Sequence, residues 1–237
     1  MKKAFAPILF LFLSYMASGQ DNSSPASKLT VGIQAGISAS AESPLFPDEE
    51  ALLGINPMIT VQYNFTPHFS LRTGLGLQQQ GYYFSEPILT SSSIDPKTGF
   101  PNANGSIINQ FTVNYGMLPI MAKYKFGNDR FGFFVEGGPY VAYMASASQF
   151  IRVNDSTGTH VFTNNVTNEY KRVDIGASLG IGLEKSITEH LGLILEISGN
   201  FGFSDIMNRS SSFEPPFTTN QSANLLLGLT WKMASAS

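Results

Sequence analysis

The sequence predicts an all-β fold, an eight-stranded antiparallel up-and-down transmembrane β-barrel with short periplasmic turns and long extracellular loops. Three observations lead there. The first is strict two-residue alternation, clearest in RVDIGASLGIGLEKSITEHLGLILEISGNFGF (Arg172–Phe203). Val173, Ile175, Ala177, Leu179, Ile181 and Leu183 share one face of a strand. Leu191, Leu193, Leu195, Ile197, Phe201 and Phe203 share one face of the next. A period of two defines a strand with two chemically different faces. The second observation is what those faces carry. The apolar face is large and uncharged, the other is small or polar and holds the carboxylates, and only 13% of the chain is charged, against roughly 25% in soluble domains. A water-soluble sheet that buried the apolar face would present glycine, serine and glutamine to solvent. A barrel in lipid turns the apolar face outward and closes the polar face around a lumen. The third observation is that connections alternate between long and short, the asymmetry of outer-membrane barrels, whose short turns are periplasmic.

The chain has 237 residues, a net charge of −3 and no cysteine. Residues 1–19 read as a signal peptide: Lys2 and Lys3, an apolar stretch from Ala4 to Met16, and a small-x-small site at Ala17-Ser18-Gly19. Beyond Met16 no apolar run approaches the roughly 20 residues of a membrane helix. Without cysteine, lipid anchoring at a cysteine, disulfides and thiolate metal sites are excluded. Residues 20–28 form a periplasmic lead-in, 29–233 the barrel domain and 234–237 a C-terminal tail. The mild acidity offers no basic surface for nucleic acid.

The first strand is Leu29–Ala39, with Leu29, Val31, Ile33, Ala35 and Ile37 outward and Thr30, Gln34 and Ser38 inward. Ala41–Gly54, containing SPLFPDEE, reads as a loop. The second strand, Ile55–Phe65, turns Ile59, Val61, Tyr63 and Phe65 outward and Thr60, Gln62 and Asn64 inward. Thr66-Pro67-His68 is a tight turn. The third strand runs from Phe69 to about Tyr83, with Leu71, Leu75 and Leu77 outward and Arg72, Gln78 and Gln80 inward. A long polar loop follows, Ser85–Asn109. The fourth strand, Gln110–Phe126, changes parity: Phe111, Val113 and Tyr115 share one face, while Leu118, Ile120, Ala122, Tyr124 and Phe126 lie on the other. A β-bulge near Met117-Leu118-Pro119 would explain this, and it turns Lys123 and Lys125 inward. Gly127–Arg130 is the second tight turn.

The fifth strand, Phe131–Ser146, places Phe131, Phe133, Val135, Val141 and Tyr143 outward and Glu136 inward. Ala147–Tyr170 is a long loop with a hairpin extension across Asp155–Gly158. The sixth and seventh strands flank the turn Ser186–His190. Ser204–Gln221, with Pro215-Pro216, is the last long loop. The eighth strand, Ser222–Met233, turns Leu225, Leu227, Leu229 and Trp231 outward. Aromatic girdles are expected at both interfaces: Phe65, Phe69, Phe126, Phe131 and Trp231 near the short turns, and Tyr82, Tyr83, Phe84, Phe111, Tyr143 and Phe203 near the long loops.

GMLPIMAKYKF (Gly116–Phe126), FVEGGPYVAY (Phe134–Tyr143), RVDIGASLGIGLE (Arg172–Glu184) and LEISGNFGFSDI (Leu195–Ile206) resemble the recurring strand segments of PorT-like small outer-membrane β-barrels of Gram-negative bacteria. The resemblance spans nearly all of the chain after the signal peptide, and its motifs are architectural. It implies an eight-stranded barrel in the outer membrane, without catalytic residues; some PorT-like proteins serve secretion. The usual pattern has a basic residue shortly after the Leu-Glu of the seventh strand, where this chain has Ile197-Ser198-Gly199, so no role for that residue carries over.

Candidate sites are few. His68 and His190 fall in tight turns beside no catalytic partner. His160 lies in a long loop near Asp155 and Ser156, the sole hint of an outer-membrane hydrolase, with nothing to fix its geometry. Asp48, Glu49 and Glu50 are consecutive, unlike the alternating ligands of a calcium loop, and read as solvated charge. Gly74–Gly76 and Gly180–Gly182 sit inside strands, precede no helix and are not nucleotide loops; they leave room in a crowded lumen. A soluble lipocalin-like carrier of a hydrophobic ligand would need the apolar face inside. A diffusion porin would need about sixteen strands. The expected function is therefore that of an integral outer-membrane barrel with a structural or interaction role, neither enzyme nor cofactor-binding. Its expected partners are outer-membrane lipid, the outer-membrane assembly machinery, and a surface or secretion-system protein met through the long loops. Inside, Arg72, Lys123, Glu136, Glu184 and Glu196 are expected to form a lumen charge cluster, because a narrow lumen offers little water to solvate them separately.

Overall fold

The computed structural model describes residues 28–43, 49–94, 101–128, 130–208 and 217–233. The segments read as signal peptide and C-terminal tail, nearly all of the lead-in, Asp48 and Pro215-Pro216 lie outside those residues. Ten strands form one sheet: β1 (Leu29–Ser43), β2 (Glu49–Ile55), β3 (Met58–Asn64), β4 (Phe69–Ile94), β5 (Pro101–Gly127), β6 (Phe131–Asp155), β7 (Gly158–Asn165), β8 (Val173–Ser186), β9 (Leu191–Gly202) and β10 (Thr219–Lys232). Every pairing is antiparallel, and β1 pairs with β10 from Thr30↔Lys232 to Ser43↔Thr219, so the sheet closes on itself.

The barrel has eight staves. β2 and β3 make one of them: Ile37↔Ile55 and Ile33↔Ile59 keep a single register against β1 across Asn56-Pro57. Pro57 has no N–H to donate, but Asn56 N–H still reaches Gly36 O at 3.1 Å and Leu77 N–H reaches Pro57 O at 2.9 Å. Among the described strands β7 pairs only with β6, and it stands outside the ring. The segment read from sequence as the loop Ala41–Gly54 is therefore largely strand. The loops read at Ser85–Asn109 and Ala147–Tyr170 are also largely strand, because β4, β5 and β6 continue past the barrel as an extension completed by β7. Beyond the membrane both sheet faces meet water, so alternation fades from the sequence while the backbone ladder continues.

Facing follows parity on most staves. Leu193, Leu195, Ile197, Leu225, Leu227 and Leu229 are exposed on the outside, while Gln34, Arg72, Glu136, Glu196 and Asn224 are buried inside. An exterior this apolar is incompatible with a soluble carrier; lipid is its natural solvent. The fourth stave differs from the sequence reading. No slip occurs at Pro119: the proline interrupts the ladder to β4, yet Thr73↔Ile120 and Gly76↔Met117 share one register. Val113, Tyr115 and Met117 stay on the same face as Lys123 and are buried in the lumen, at 1%, 2% and 3% exposure. The bulge lies instead on β6, where Asn114↔Ser146 gives way to Tyr115↔Met144 and leaves Ala145 unpaired. Tyr82, Phe84 and Phe111 stack together, with the Tyr82 and Phe111 centroids 5.0 Å apart. They continue the lumenal face of β4 and β5 rather than forming an outer girdle.

The three short turns share one device. Thr66 Oγ1 accepts from Phe69 N–H, Asn128 Oδ1 from Phe131 N–H and Thr188 Oγ1 from Leu191 N–H, each at 2.9 Å. The carbonyls of His68, Arg130 and His190 then accept from Lys125, Ser186 and Lys232 on the adjoining stave, at 2.7, 2.9 and 2.7 Å. The turn histidines also serve as rim packing: His68 stacks on Tyr124 and His190 on Trp231.

Candidate functional site

The lumen gathers the inward residues of all eight staves into three tiers. In the periplasmic tier Arg72 (β4) sits between two carboxylates. Its Nη2 donates to Glu136 Oε1 (β6) and, at 2.6 Å, to Glu196 Oε2 (β9), while its Nη1 reaches Gln34 Oε1 (β1) at 3.4 Å. Gln34 Nε2 donates in turn to Glu196 Oε2 at 3.1 Å. Lys123 (β5) pairs with Glu184 (β8) and donates to Gln62 Oε1 (β3) at 3.2 Å. Its Nζ lies 3.9 Å from the centroid of the Phe134 ring, a cation–π contact. The five charged residues singled out in the sequence thus occupy one tier, as an Arg72–Glu136–Glu196 group and a Lys123–Glu184 pair. Phe134 was not singled out. It is fully buried between the two bases, and its ring fits because Gly182 faces it: a Cβ there would lie 2.4 Å from Phe134 Cζ.

The middle tier is neutral. Gln78 Nε2 donates to Ser222 Oγ at 2.8 Å, Asn200 Nδ2 donates to Gln78 Oε1 at 3.2 Å, and Asn56 Nδ2 donates to Asn224 Oδ1 at 3.1 Å. These amides come from four staves, so the tier braces the ring across its diameter. A pocket of about 20 Å³ lies beside it, lined by Arg72, Glu136 and Asn56 among others.

The extracellular tier is a hydrophobic core. Val113, Tyr115, Met117, Tyr140, Ala142 and Met144 pack beneath a lid made by Val166, Tyr170 and Ile206. The lid is stitched by backbone bonds from Lys171 N–H to Ile206 O and from Asn208 N–H to Glu169 O, both 2.7 Å, and by a bridge between Tyr170 and Met207. Among the described residues Asp174, 1% exposed, meets no base in this tier. Its carboxylate accepts from Ser204 Oγ at 2.6 Å, Asn220 Nδ2 at 3.1 Å and Tyr140 OH at 3.3 Å. Tyr170 OH donates to Glu42 Oε1 at 3.2 Å. This tier was missed because a large apolar residue in a barrel strand was assigned to lipid. The only hint was the parity change at Tyr115.

The other candidates do not converge. His160 Nε2 meets Thr157 Oγ1 at 3.1 Å and lies 4.0 Å from Asp155 Oδ1, all in an exposed hairpin turn. Glu50 accepts from Tyr83 OH on the outer extension. Among the described residues no three His, Asp or Glu side chains gather as metal ligands.

Solved structures similar to the chain include Neisserial surface protein A, at 13% identity and TM-score 0.47, covering 88% of this chain and 99% of that one. They also include Ail, the attachment invasion locus protein of Yersinia pestis, at 10% identity and TM-score 0.41, covering 88% and 100%. The outer membrane protein OprG from Pseudomonas aeruginosa has 10% identity and TM-score 0.41, covering 88% and 98%. No curated protein matches the chain. The family model of the outer membrane protein beta-barrel domain matches residues 17–208, most of the chain. With its closed ring, lipid-facing exterior and polar lumen, the chain belongs to the outer membrane protein β-barrel domain family and resides in the outer membrane.

Proposed function

We propose that this protein is a plugged, non-catalytic barrel that works as an interaction protein, through the β-extension it raises above the membrane. The observation that carries this reading is the filled lumen. Ion pairs, amides and an apolar core under a lid succeed one another along the axis, and the pocket between them holds about 20 Å³, room for about one water. Solute transport has no path in such a lumen, and among the described residues the lumenal carboxylates sit in ion pairs or hydrogen-bond networks with no histidine beside them. The extension of β4, β5, β6 and β7 is then the part free to meet other molecules.

The resemblance of Gly116–Phe126 and Leu195–Ile206 to PorT-like barrels supports a surface or secretion-system protein as the partner. On this reading residues 1–19 direct export and the outer-membrane assembly machinery inserts the barrel. The test pairs two measurements. Purified protein in planar bilayers should show no steady large conductance; a stable open channel would overturn the plugged reading. Replacing residues 148–165 by a short turn should leave a folded barrel and abolish cross-linking to surface proteins in whole cells. Undiminished cross-linking would remove the extension from the function.

A further inference from the structure

We infer that the mid-lumen pocket is a binding site for one small monovalent cation, held by the Glu136 carboxylate and the Asn56 side-chain carbonyl. Two atoms of its lining residues lack a hydrogen-bond partner: Glu136 Oε2 and Asn56 Oδ1. Both belong to buried side chains, that of Glu136 at 0% exposure and Asn56 at 2%. Their other polar atoms are engaged, since Glu136 Oε1 accepts from Arg72 and Asn56 Nδ2 donates to Asn224 Oδ1 at 3.1 Å. Buried polar atoms are rarely left unmatched, and both orphans are acceptors. The guest must therefore bring donor or positive character. At about 20 Å³ it is a single small species.

Charge decides between a water and an ion. With all five ionised, two bases, Arg72 and Lys123, face three acids, Glu136, Glu184 and Glu196, a formal charge of −1. Lys125, further along β5 toward the periplasmic rim and partly exposed, adds its charge near Glu184 from the solvent side of the tier. A neutral water would fill the two acceptors and leave a net charge away from bulk solvent. One monovalent cation fills the acceptors and closes the balance. Oxygen donors suit an alkali ion. A divalent ion would bring more charge than one free carboxylate oxygen offsets, and it would sit beside the Arg72 guanidinium. Met58, Met117 and Met121 line part of the remaining wall, beside Glu196, Ser198 and Asn200, and their thioethers can adapt to the size of the guest.

The experiment is thermal unfolding of the detergent-refolded full-length protein, followed by circular dichroism. It is run at fixed pH and ionic strength in lithium, sodium, potassium or choline chloride. The midpoint should rise saturably with one alkali cation, by about 3 °C or more over choline. Asn56→Leu, which removes one ligand without removing a charge, should abolish the rise. Glu136→Gln should do the same where it folds, and Asn56→Leu carries the test where it does not. Equal midpoints in all four salts would assign the pocket to water and overturn the proposal. A rise that survives Asn56→Leu would place the cation elsewhere and overturn it equally.

Discussion

Toward the periplasm the lumen is held by ion pairs, and toward the cell surface by a packed apolar core. The two halves brace the barrel differently. In the lower half each partner comes from a different stave: Gln34 from β1, Arg72 from β4, Glu136 from β6, Glu196 from β9. Such contacts have fixed partners. Losing one leaves the others charged and buried, so failure is abrupt. The upper half draws its bulk from β5 and β6, namely Val113, Tyr115, Met117, Tyr140 and Met144, and is capped by Val166, Tyr170 and Ile206. Its contacts are non-directional, so failure should scale with the volume removed. The same narrow ring therefore uses specificity near the periplasm and ordinary core packing near the cell surface.

Arg72→Met should show the largest effect. It leaves Glu136 and Glu196 facing each other without a base, and should cost about 3–5 kcal/mol of stability. Urea unfolding in lipid vesicles measures this. In double-mutant cycles with Glu136→Gln and with Glu196→Gln the double variant should lose less than the sum of the singles. Additive losses in both cycles would show that the three residues are neighbours without being coupled, and the contrast between the halves would fail at its lower end.

Met144→Ala tests the upper half. Met144 is 0% exposed, and deleting most of its side chain beneath the lid should cost about 2–3 kcal/mol through lost burial and the cavity left behind. Combined with Arg72→Met, the two losses should add, since the residues share no partner. A loss below about 1 kcal/mol would mean that the upper half repacks freely and is a loose filling rather than a core.

How much of this was legible follows from what alternation encodes. Alternation reports which residues share a face, and charge reports which face avoids lipid. Together they place Arg72, Lys123, Glu136, Glu184 and Glu196 inside. Counting residues from the short turns adds a rough height, with Glu136 and Glu196 near Arg72 and Glu184 lower; strand tilt and stagger also set it, so the Lys123–Glu184 pairing does not follow from the count alone. Hydrophobicity does not separate lipid from a lumenal core, and that ambiguity hid Val113 and Tyr115 and invited a bulge at Pro119. The real bulge at Ala145 lies in AYMASAS, where small residues blur the parity. The extensions were hidden for a third reason: in water on both sides, the ladder of β6 and β7 imposes no pattern on VNDSTGTHVF.

The smallest effect concerns the turns at the two ends and separates them by pH. At the periplasmic rim the acceptors are Thr66, Asn128 and Thr188, none of which titrates. At the β6–β7 turn the acceptor is a carboxylate: Asp155 Oδ1 takes Thr157 Oγ1 at 2.5 Å, Thr157 N–H at 2.8 Å and Gly158 N–H at 3.2 Å. The Thr157 hydroxyl first, then the backbone N–H groups, hold this exposed carboxyl below its ordinary value of 3.8. A carboxyl lowered by folding adds stability that is present above the unfolded value and disappears as pH falls through the folded one. The window therefore lies below about pH 3.8. Hydrogen exchange corrected for intrinsic rates should show the amides of Asn154–Val161 less protected at pH 3 than at pH 6, with those flanking Thr66 and Thr188 unchanged. Asp155→Asn keeps an oxygen acceptor without the proton equilibrium, and should flatten the difference. If the periplasmic turns loosen equally at pH 3, acid acts on the whole barrel, and the chemistry of the turn acceptor does not distinguish its two ends.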